Sequence, residues 1–547
     1  MNSTTGKRRF GGYAALVAAG ILLSRIAGLV RTRAFAHYLG STPAADAFNV
    51  ALKVPNFLQN LLGEGVLSAS FIPVYSRLVA NKDEKLAGRV AGVFASFILV
   101  GVAAIVLVGV LATPLILKIT AAGLPPDVMA LAVRLTRIVF PGVGLLVLYA
   151  WCLGILNTHR QFFLSYVAPV LWNGAMITTL VVFGSRLRND DLAVALAWGT
   201  FVGCALQLAV QLPFVFRYEK NLKFGFDRTL APVREIFRNL APVFAGRGIV
   251  QISGYVDTFI ATMLPSGAFS NLVYAQTIYM LPISLFGMSV AAAELPQMSG
   301  ETGTIDEIKA AIRKRLDRGL RQVAFFVIPT SVAFVMIGRL LVAALYQTGE
   351  FTADTTLFVW YILIGSSIGL LVSTLGRLYS SAFYALRDTR TPFRIAVARV
   401  TIGASLGLLL AFPLRPVFGL ILKAVGLPVP GGAVGAGELG VIGISTASAM
   451  AAWVEYLLLR RGLLKKIGQL ETPRIFFARL WVAAILAGAG ALAFDRFIAS
   501  KVAPRLILPH IMEAIAVSGA FGAVYFAATF LLKIPEAQAT IKRFTRR

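Results

Sequence analysis

From Ala44 to Ser76 the chain reads AADAFNVALKVPNFLQNLLGEGVLSASFIPVYS. A bilayer crossing needs about 20 mainly apolar residues, and this stretch exceeds that. Yet it carries Asp46, Asn49, Lys53, Asn56, Asn60 and Glu64, at steps of 3, 4, 3, 4 and 4 residues. At about 100° per residue these six side chains fall within about 80° of one another on a helix. One polar stripe along an apolar helix reads as the wall of a water-filled cavity. The competing reading is a helix–helix seam of hydrogen-bonded side chains. Three of the six are charged, and a charge at mid-bilayer costs roughly 2.5–3.5 kcal/mol on the insertion scale, which favours the cavity.

The whole chain fits that membrane reading. Of 547 residues, 57% are hydrophobic and 14% charged, whereas soluble domains carry about 25% charged residues. This excludes a soluble enzyme, a disordered chain and a fibrous protein. Lys and Arg number 52 against 25 Asp and Glu, a formal charge of +27. In so apolar a chain the excess belongs to basic cytoplasmic loops and an anion site, not to nucleic-acid binding. The two cysteines, Cys152 and Cys204, both lie in apolar runs, so no disulfide framework is expected. The three histidines, His37, His159 and His510, have no metal-ligand spacing.

Apolar segments recur at about 11–38, 44–76, 90–117, 128–156, 161–184, 191–216, 240–264 and 271–296, then at about 320–346, 354–384, 393–422, 439–459, 475–498 and 509–532. The expected fold is therefore an all-α polytopic membrane protein of about 14 transmembrane helices. Basic residues mark alternate loops: Lys7–Arg9, Arg77–Arg89, Arg217–Arg238, Lys309–Arg321, Arg460–Lys466 and the Lys542–Arg547 tail. The loop from Leu264 to Asn271 has none. The positive-inside rule then puts both termini in the cytoplasm. Span 1 imitates a signal peptide at Ala34-Phe35-Ala36, but Arg31 and Arg33 just before that site argue against cleavage.

An internal repeat organises these spans. Ile72-Pro73-Val74-Tyr75-Ser76 closes span 2, and Leu295-Pro296-Gln297-Met298-Ser299 closes span 8. Asp83-Glu84 and Asp306-Glu307 each follow ten residues after the proline. Arg25 precedes Pro73 by 48 residues, and Arg247 precedes Pro296 by 49. Six spans separate the copies, which predicts a parallel repeat of two six-helix lobes plus two extra C-terminal helices. The expected parts are 1–217, 218–466 and 467–547. Transporter sites usually lie between such lobes.

Further polar residues fall inside spans. Span 1 holds Ser24, Arg25, Gly28 and Arg31, and span 7 holds Arg247 and Asp257. Arg25 and Arg31 are about 120° apart on a regular helix, so they share a target only if span 1 bends, and Gly28 is the expected hinge. Each arginine could instead form a structural ion pair, for instance with Asp46 or Glu64. Three arginines at repeat-related places favour an anion, and guanidinium groups suit phosphate through their paired donors. The candidate binding set is Ser24, Arg25, Arg31, Asp46, Asn49, Lys53, Asn56, Asn60, Glu64 and Arg247. No metal site is expected, with Asp257 the weak candidate for a cation. The Gly-rich stretch Gly431–Gly440 reads as an outside loop. No cofactor and no catalytic constellation is visible, so an enzyme is not expected.

Several longer words resemble the MurJ (MviN) family of lipid II flippases. They are Ser24-Arg25-Ile26-Ala27-Gly28-Leu29-Val30-Arg31, Ala45-Asp46-Ala47-Phe48, Lys53-Val54-Pro55-Asn56, Glu64-Gly65 and Phe71-Ile72-Pro73-Val74-Tyr75. Asn157-Thr158, Ala168-Pro169, Gly349-Glu350-Phe351-Thr352-Ala353-Asp354 and Phe383 to Pro392 (FYALRDTRTP) extend the likeness to span 11.

The resemblance implies the fold of the multidrug/oligosaccharidyl-lipid/polysaccharide exporter superfamily. It implies export of lipid II, the undecaprenyl-diphosphate-linked disaccharide-peptide, across the bacterial inner membrane by alternating access. Lipid II and membrane lipids are then the expected partners, with a coupling ion or the membrane potential as driver. A groove at spans 13–14 would leave the lipid tail in the bilayer. Arg25, Arg31 and Asp46 carry over as cavity residues. Some members have arginines where this chain has Gln59 and Thr277, and Arg247 is the expected replacement. The alternatives are a flippase for another polyprenyl-diphosphate-linked glycan, a drug or cation antiporter of the same superfamily, and a non-transporting scaffold.

Overall fold

The computed structural model describes residues 3–62, 64–429, 437–471, 473–499, 502 and 508–538. Regular structure among them is helical. In chain order the first helices are α1 (Ser3–Leu39), α2 (Pro43–Leu62), α3 (Glu64–Ala80), α4 (Glu84–Thr120), α5 (Pro126–Thr158), α6 (Phe162–Phe183), α7 (Asn189–Tyr218) and α8 (Ala231–Thr262). There follow α9 (Ala268–Ser299), α10 (Ile305–Met336), α11 (Gly338–Tyr346), α12 (Ala353–Ser367), α13 (Leu370–Ala385), α14 (Arg390–Ala411), α15 (Arg415–Ala424), α16 (Gly440–Ile467), α17 (Arg474–Phe494) and α18 (Pro509–Leu531).

Each of the fourteen expected segments falls on one helix or on consecutive helices. Among the described residues, nine helices are long and apolar enough to cross a membrane, or ten with the pair α12–α13, which is bent by 43°. The helices α1, α2 and α8 are not among the nine. In α2 and α8 the charged and polar residues that mark the candidate site lower the hydropathy, and the N-terminal side chains of α1 lie outside the described residues. Span 2 is helical on both sides of residue 63, which lies outside the described residues. The Gly-rich stretch 431–436 and the basic tail beyond 538 lie outside the described residues.

By compactness the chain forms two units, Met1–Gly267 and Ala268–Arg547. The lobes read from the repeat end at 217 and 466 instead. Packing accounts for the difference. In the first unit α8 packs on α3 and α4, so it joins the helices that precede it. In the second unit α17 and α18 share a core with α10: Phe325, Ile328 and Val332 pack with Leu480, Ala484, Val517 and Phe521. The Tyr525 hydroxyl donates to the Phe325 carbonyl at 2.6 Å within that core. The two C-terminal helices share that core.

Capping residues set several helix starts. The Asp83 side chain accepts from the Leu86 N–H at 3.2 Å and starts α4. Thr304 and Glu307 form a capping box at α10, satisfying two otherwise orphaned N–H groups. Asp388 accepts from the Thr391 N–H at 3.0 Å and from its hydroxyl at 2.7 Å, at the head of α14. Lys466 also pairs with Asp388, at 2.5 Å. The Lys466 ammonium and the Thr391 donors hold the Asp388 carboxyl well below the usual carboxylate range. The Arg387-Asp388-Thr389-Arg390-Thr391-Pro392 word is therefore a cap and a tie to α16.

The first unit's core centres on Phe71, Tyr75, Phe94 and Trp151. Phe71 stacks on both Tyr75 and Phe94, with ring centroids 5.2 and 5.1 Å apart. The Tyr75 hydroxyl donates to buried Glu219 at 2.7 Å and lies 3.1 Å from His159 Nε2. The segment from Glu219 to Leu230 lies along α4. Gly88 and Gly92, one turn apart, face the backbone at Asn221 and Lys223 so closely that a Cβ at either would collide with it. Gly92→Val should therefore lower the melting temperature of the detergent-purified protein, at a cost of about 1–3 kcal/mol. Gly101→Val, with open space around it, should leave that temperature within a degree of the parent. Equal melting curves for the two variants would contradict this packing.

Candidate functional site

The stripe read from span 2 takes up distinct surroundings along its length. Asp46, near the start of α2, is 4% exposed. Its Oδ2 accepts from the Gly267 N–H at 2.5 Å. Gly267 has φ +89° and sits against the Ser41 carbonyl, where a Cβ would not fit. Only a glycine readily adopts this backbone so close to another. Asp46 thus ties the end of the first unit to the start of α2.

Two turns further along α2, Lys53 reaches α8. Its Nζ lies 3.9 Å from where a Cβ on Gly254 would stand, and Asp257 is the carboxylate acting on its ammonium. The Tyr255 hydroxyl donates to the Lys53 carbonyl at 3.1 Å. Phe57, one turn beyond, meets Tyr255 edge to face at 5.4 Å. The ring holds the two helices together beside the charges. Asn49 and Asn56 are half-buried and Asn60 is exposed.

Glu64 opens α3 and Arg247 lies within α8, but both side chains fall outside the described residues. Position alone is informative for Arg247. It precedes Gly254 by seven residues, about two turns, and so shares its helix face. Asp46 at Gly267 and Lys53 at Gly254 show that α2 and α8 run antiparallel. Arg247 therefore stands near the level of Asn60.

The span 1 residues behave differently. Helix α1 runs unbroken through Gly28 and packs on α6. Arg31 places its guanidinium 4.9 Å from the Trp172 ring centroid. A Cβ on Gly28 would lie 3.9 Å from Asn173 Oδ1, a buried oxygen with no hydrogen-bond donor among the described residues. Ser24 is half-buried and Arg25 exposed, and Arg25 has no ion-pair partner among the described residues. Gln59 is half-buried, and the Thr277 hydroxyl donates to its own helix at Val273. No group of three or more metal-ligating side chains occurs among the described residues.

A second polar cluster, unread from the sequence, lies in the second unit. Arg399 of α14 pairs with Glu455 of α16 at 2.7 Å. Arg377 of α13 lies within electrostatic reach of both and of Tyr279. The Tyr279 hydroxyl donates to Ser373 at 3.3 Å. The signal was present, since charges at Arg377, Arg399 and Glu455 interrupt apolar spans just as Arg25 and Lys53 do. It lacks periodic spacing, because one residue comes from each of three helices.

These features define a polytopic helical membrane protein with a transporter fold. A solved structure of lipid II flippase MurJ in an inward closed conformation superposes with a TM-score of 0.71 at 23% identity, covering 94% of this chain and 100% of that one. An inward-facing multidrug resistance MATE family transporter of the MOP superfamily superposes with a TM-score of 0.61 at 16% identity, covering 83% and 98%. In sequence, the lipid II flippase MurJ of Burkholderia cenocepacia is 30% identical over 356 residues, 64% of this chain and 68% of that protein. The probable lipid II flippase MurJ of Vibrio cholerae is 30% identical over 372 residues, 65% and 69%. The family model for lipid II flippase MurJ matches residues 35–511, and the chain belongs to that family. The matched region begins just after Arg31, so Arg25 and Arg31 rest on the Ser24–Arg31 motif.

The Lys53–Asp257 pair has a direct test. Removing one of two half-buried opposite charges leaves the other uncompensated, which is destabilising. Lys53→Met and Asp257→Asn should each lower the melting temperature, and the swap Lys53→Asp with Asp257→Lys should restore part of the loss. A swap no better than the sum of its single changes would show that the two groups are uncoupled. Asp46→Ala should destabilise by about 1–3 kcal/mol, leaving the Gly267 N–H without its acceptor, and Asp46→Asn should fall between it and the parent.

Proposed function

We propose that this chain moves lipid II from the inner to the outer leaflet of the bacterial cytoplasmic membrane by alternating access, with both termini in the cytoplasm. The observation that carries this reading is the match to the lipid II flippase family along residues 35–511. The loop charge pattern supports the orientation.

The cargo joins a diphosphate, a polar sugar-peptide head and a long isoprenoid tail, and each needs a different surface. Arg25, Arg31 and Arg247, all in the first unit, are our candidates for the diphosphate. The Arg31 guanidinium lies over the Trp172 ring, 4.9 Å from its centroid, a cation–π contact. Guanidinium N–H donors match paired phosphate oxygens. Asn49, Asn56 and Asn60 supply neutral donors and acceptors for the head. Asp257 offsets the Lys53 charge when no anion is bound, and an incoming diphosphate competes with it for the ammonium. Arg247 on the Lys53-facing side of α8 supplies positive charge that the chain lacks at Gln59 and Thr277. No bond is made or broken in this cycle.

Rescue of a host depleted of its own flippase tests the assignment. Arg25→Ala and Arg31→Ala should each lose rescue while the protein reaches the membrane. The loss of a charge-assisted contact, about 1.5–3 kcal/mol, corresponds to about 10–100-fold in affinity. Arg31→Lys should rescue only in part, since an ammonium cannot reproduce the paired donors. Full rescue by both alanine variants would remove these arginines from the binding site. Purified protein that prefers another polyprenyl-diphosphate-linked glycan over lipid II would redirect the reading to that cargo.

A further inference from the structure

A cavity of about 420 Å³ lies in the first unit, lined by Phe97, Arg228, Val233, Arg234 and Phe237. We infer that it binds the headgroup of an anionic phospholipid at the cytoplasmic surface of the membrane.

The place of the cavity along α4 is the first argument. Before Phe97 the helix carries Glu84, Lys85 and Arg89; after it come Leu99, Val100, Ile105, Leu107 and Val108, all exposed. The cavity thus sits where α4 changes from a charged face to a lipid-facing one. Helix α8 makes the same change beside it, from Arg234 and Arg238 to the apolar run beyond Asn239. Such a boundary lies at headgroup depth. Phe224 and Phe226 are 60% and 65% exposed nearby, as aromatic residues are at a membrane interface.

Charge is the second argument. Four arginines surround this corner, and the protein neutralises two of them. Arg89 pairs with Asp227 at 2.8 Å, and Arg77 pairs with Glu235 at 2.6 Å. Arg228 and Arg234, the two that line the cavity, have no carboxylate partner among the described residues. Two uncompensated guanidinium groups above an apolar floor match a lipid phosphate above its chains.

The third argument is preorganisation. Arg228 lies 5.6 Å from the Phe97 ring centroid, which orients its fork. Phe97 in turn meets Phe226 and Phe237 edge to face, at 5.3 and 5.5 Å. The loop that supplies Arg228 is pinned at both sides. The Gly225 N–H donates to Ser96 at 3.1 Å, and Thr229 donates from its N–H and its hydroxyl to Asp227 at 2.9 and 2.5 Å. Those two Thr229 bonds hold the Asp227 carboxyl below the usual carboxylate range. Asp227 is thereby engaged with Thr229 and Arg89.

Lipid retention by the purified full-length protein tests this, read by native mass spectrometry with dioleoyl-phosphatidylglycerol and dioleoyl-phosphatidylcholine as probes. The parent should retain phosphatidylglycerol in preference to phosphatidylcholine. Arg228→Gln with Arg234→Gln should weaken that retention about thirtyfold, the scale of two basic groups at an anionic headgroup. Arg228→Lys with Arg234→Lys keeps the charge and should retain most of it. Arg186→Gln with Arg188→Gln, at the loop between α6 and α7, should match the parent. Equal retention by the Gln pair and the parent, or equal retention of the two lipids, would overturn the proposal. Displacement of phosphatidylglycerol by equimolar undecaprenyl diphosphate would also overturn it, making the cavity a docking place for the transported lipid. The Arg25 and Arg31 rescue assay is independent of every outcome here.

Discussion

A charge surrounded by hydrocarbon has to be paired, hydrogen-bonded or wetted, because isolated ions are strongly disfavoured there. The first unit is arranged around that constraint. Asp257 on α8 acts on the Lys53 ammonium of α2, and Asp46 accepts the Gly267 N–H. These contacts join the ends of the unit across more than two hundred residues of chain. They explain why α8 belongs with the helices before it, although the sequence repeat groups it with those that follow. The charges that lower the apolar character of α2 and α8 are also the ones that hold the two helices together.

The same constraint separates structural from available charge. Asp46 accepts a backbone N–H, and Asp257 acts on the Lys53 ammonium. Arg25 is exposed, and the Arg31 guanidinium lies 4.9 Å from the Trp172 ring centroid. In the second unit Arg399 and Glu455 satisfy each other, while Arg377 adds a further positive charge beside them. An excess of guanidinium over carboxylate in both units suits a protein that handles an anionic cargo. Near the membrane surface the pattern recurs: Asp227 and Glu235 take Arg89 and Arg77, leaving Arg228 and Arg234 uncompensated.

Close backbone contact is the other organising feature. Gly88 and Gly92 let the Glu219–Leu230 segment lie directly on α4, and Gly267 fits against Ser41. Buried Glu219 receives the Tyr75 hydroxyl at one end of that segment, and Ser96 receives the Gly225 N–H in its middle. A basic loop held in this way presents its arginines at fixed positions, which an unrestrained loop of the same composition cannot do.

Sequence alone determined the class of fold, because apolar length and loop charge depend on the neighbouring residues of one segment. It placed fourteen segments that all fall on helices, the polar face of α2 and the arginine-bearing motif of α1. The motifs also identified the family that the wider comparison established. Tertiary structure decided what each polar residue does, since a partner's identity depends on packing and not on periodicity. The stripe from Asp46 to Asn60 is regular in sequence, yet Asp46 meets a glycine N–H and Lys53 a carboxylate on a distant helix. The Arg377, Arg399 and Glu455 cluster escaped the reading because three helices each contribute one member. The compact boundary at Gly267 likewise arises from contacts between α8 and helices far earlier in the chain, which no local pattern encodes.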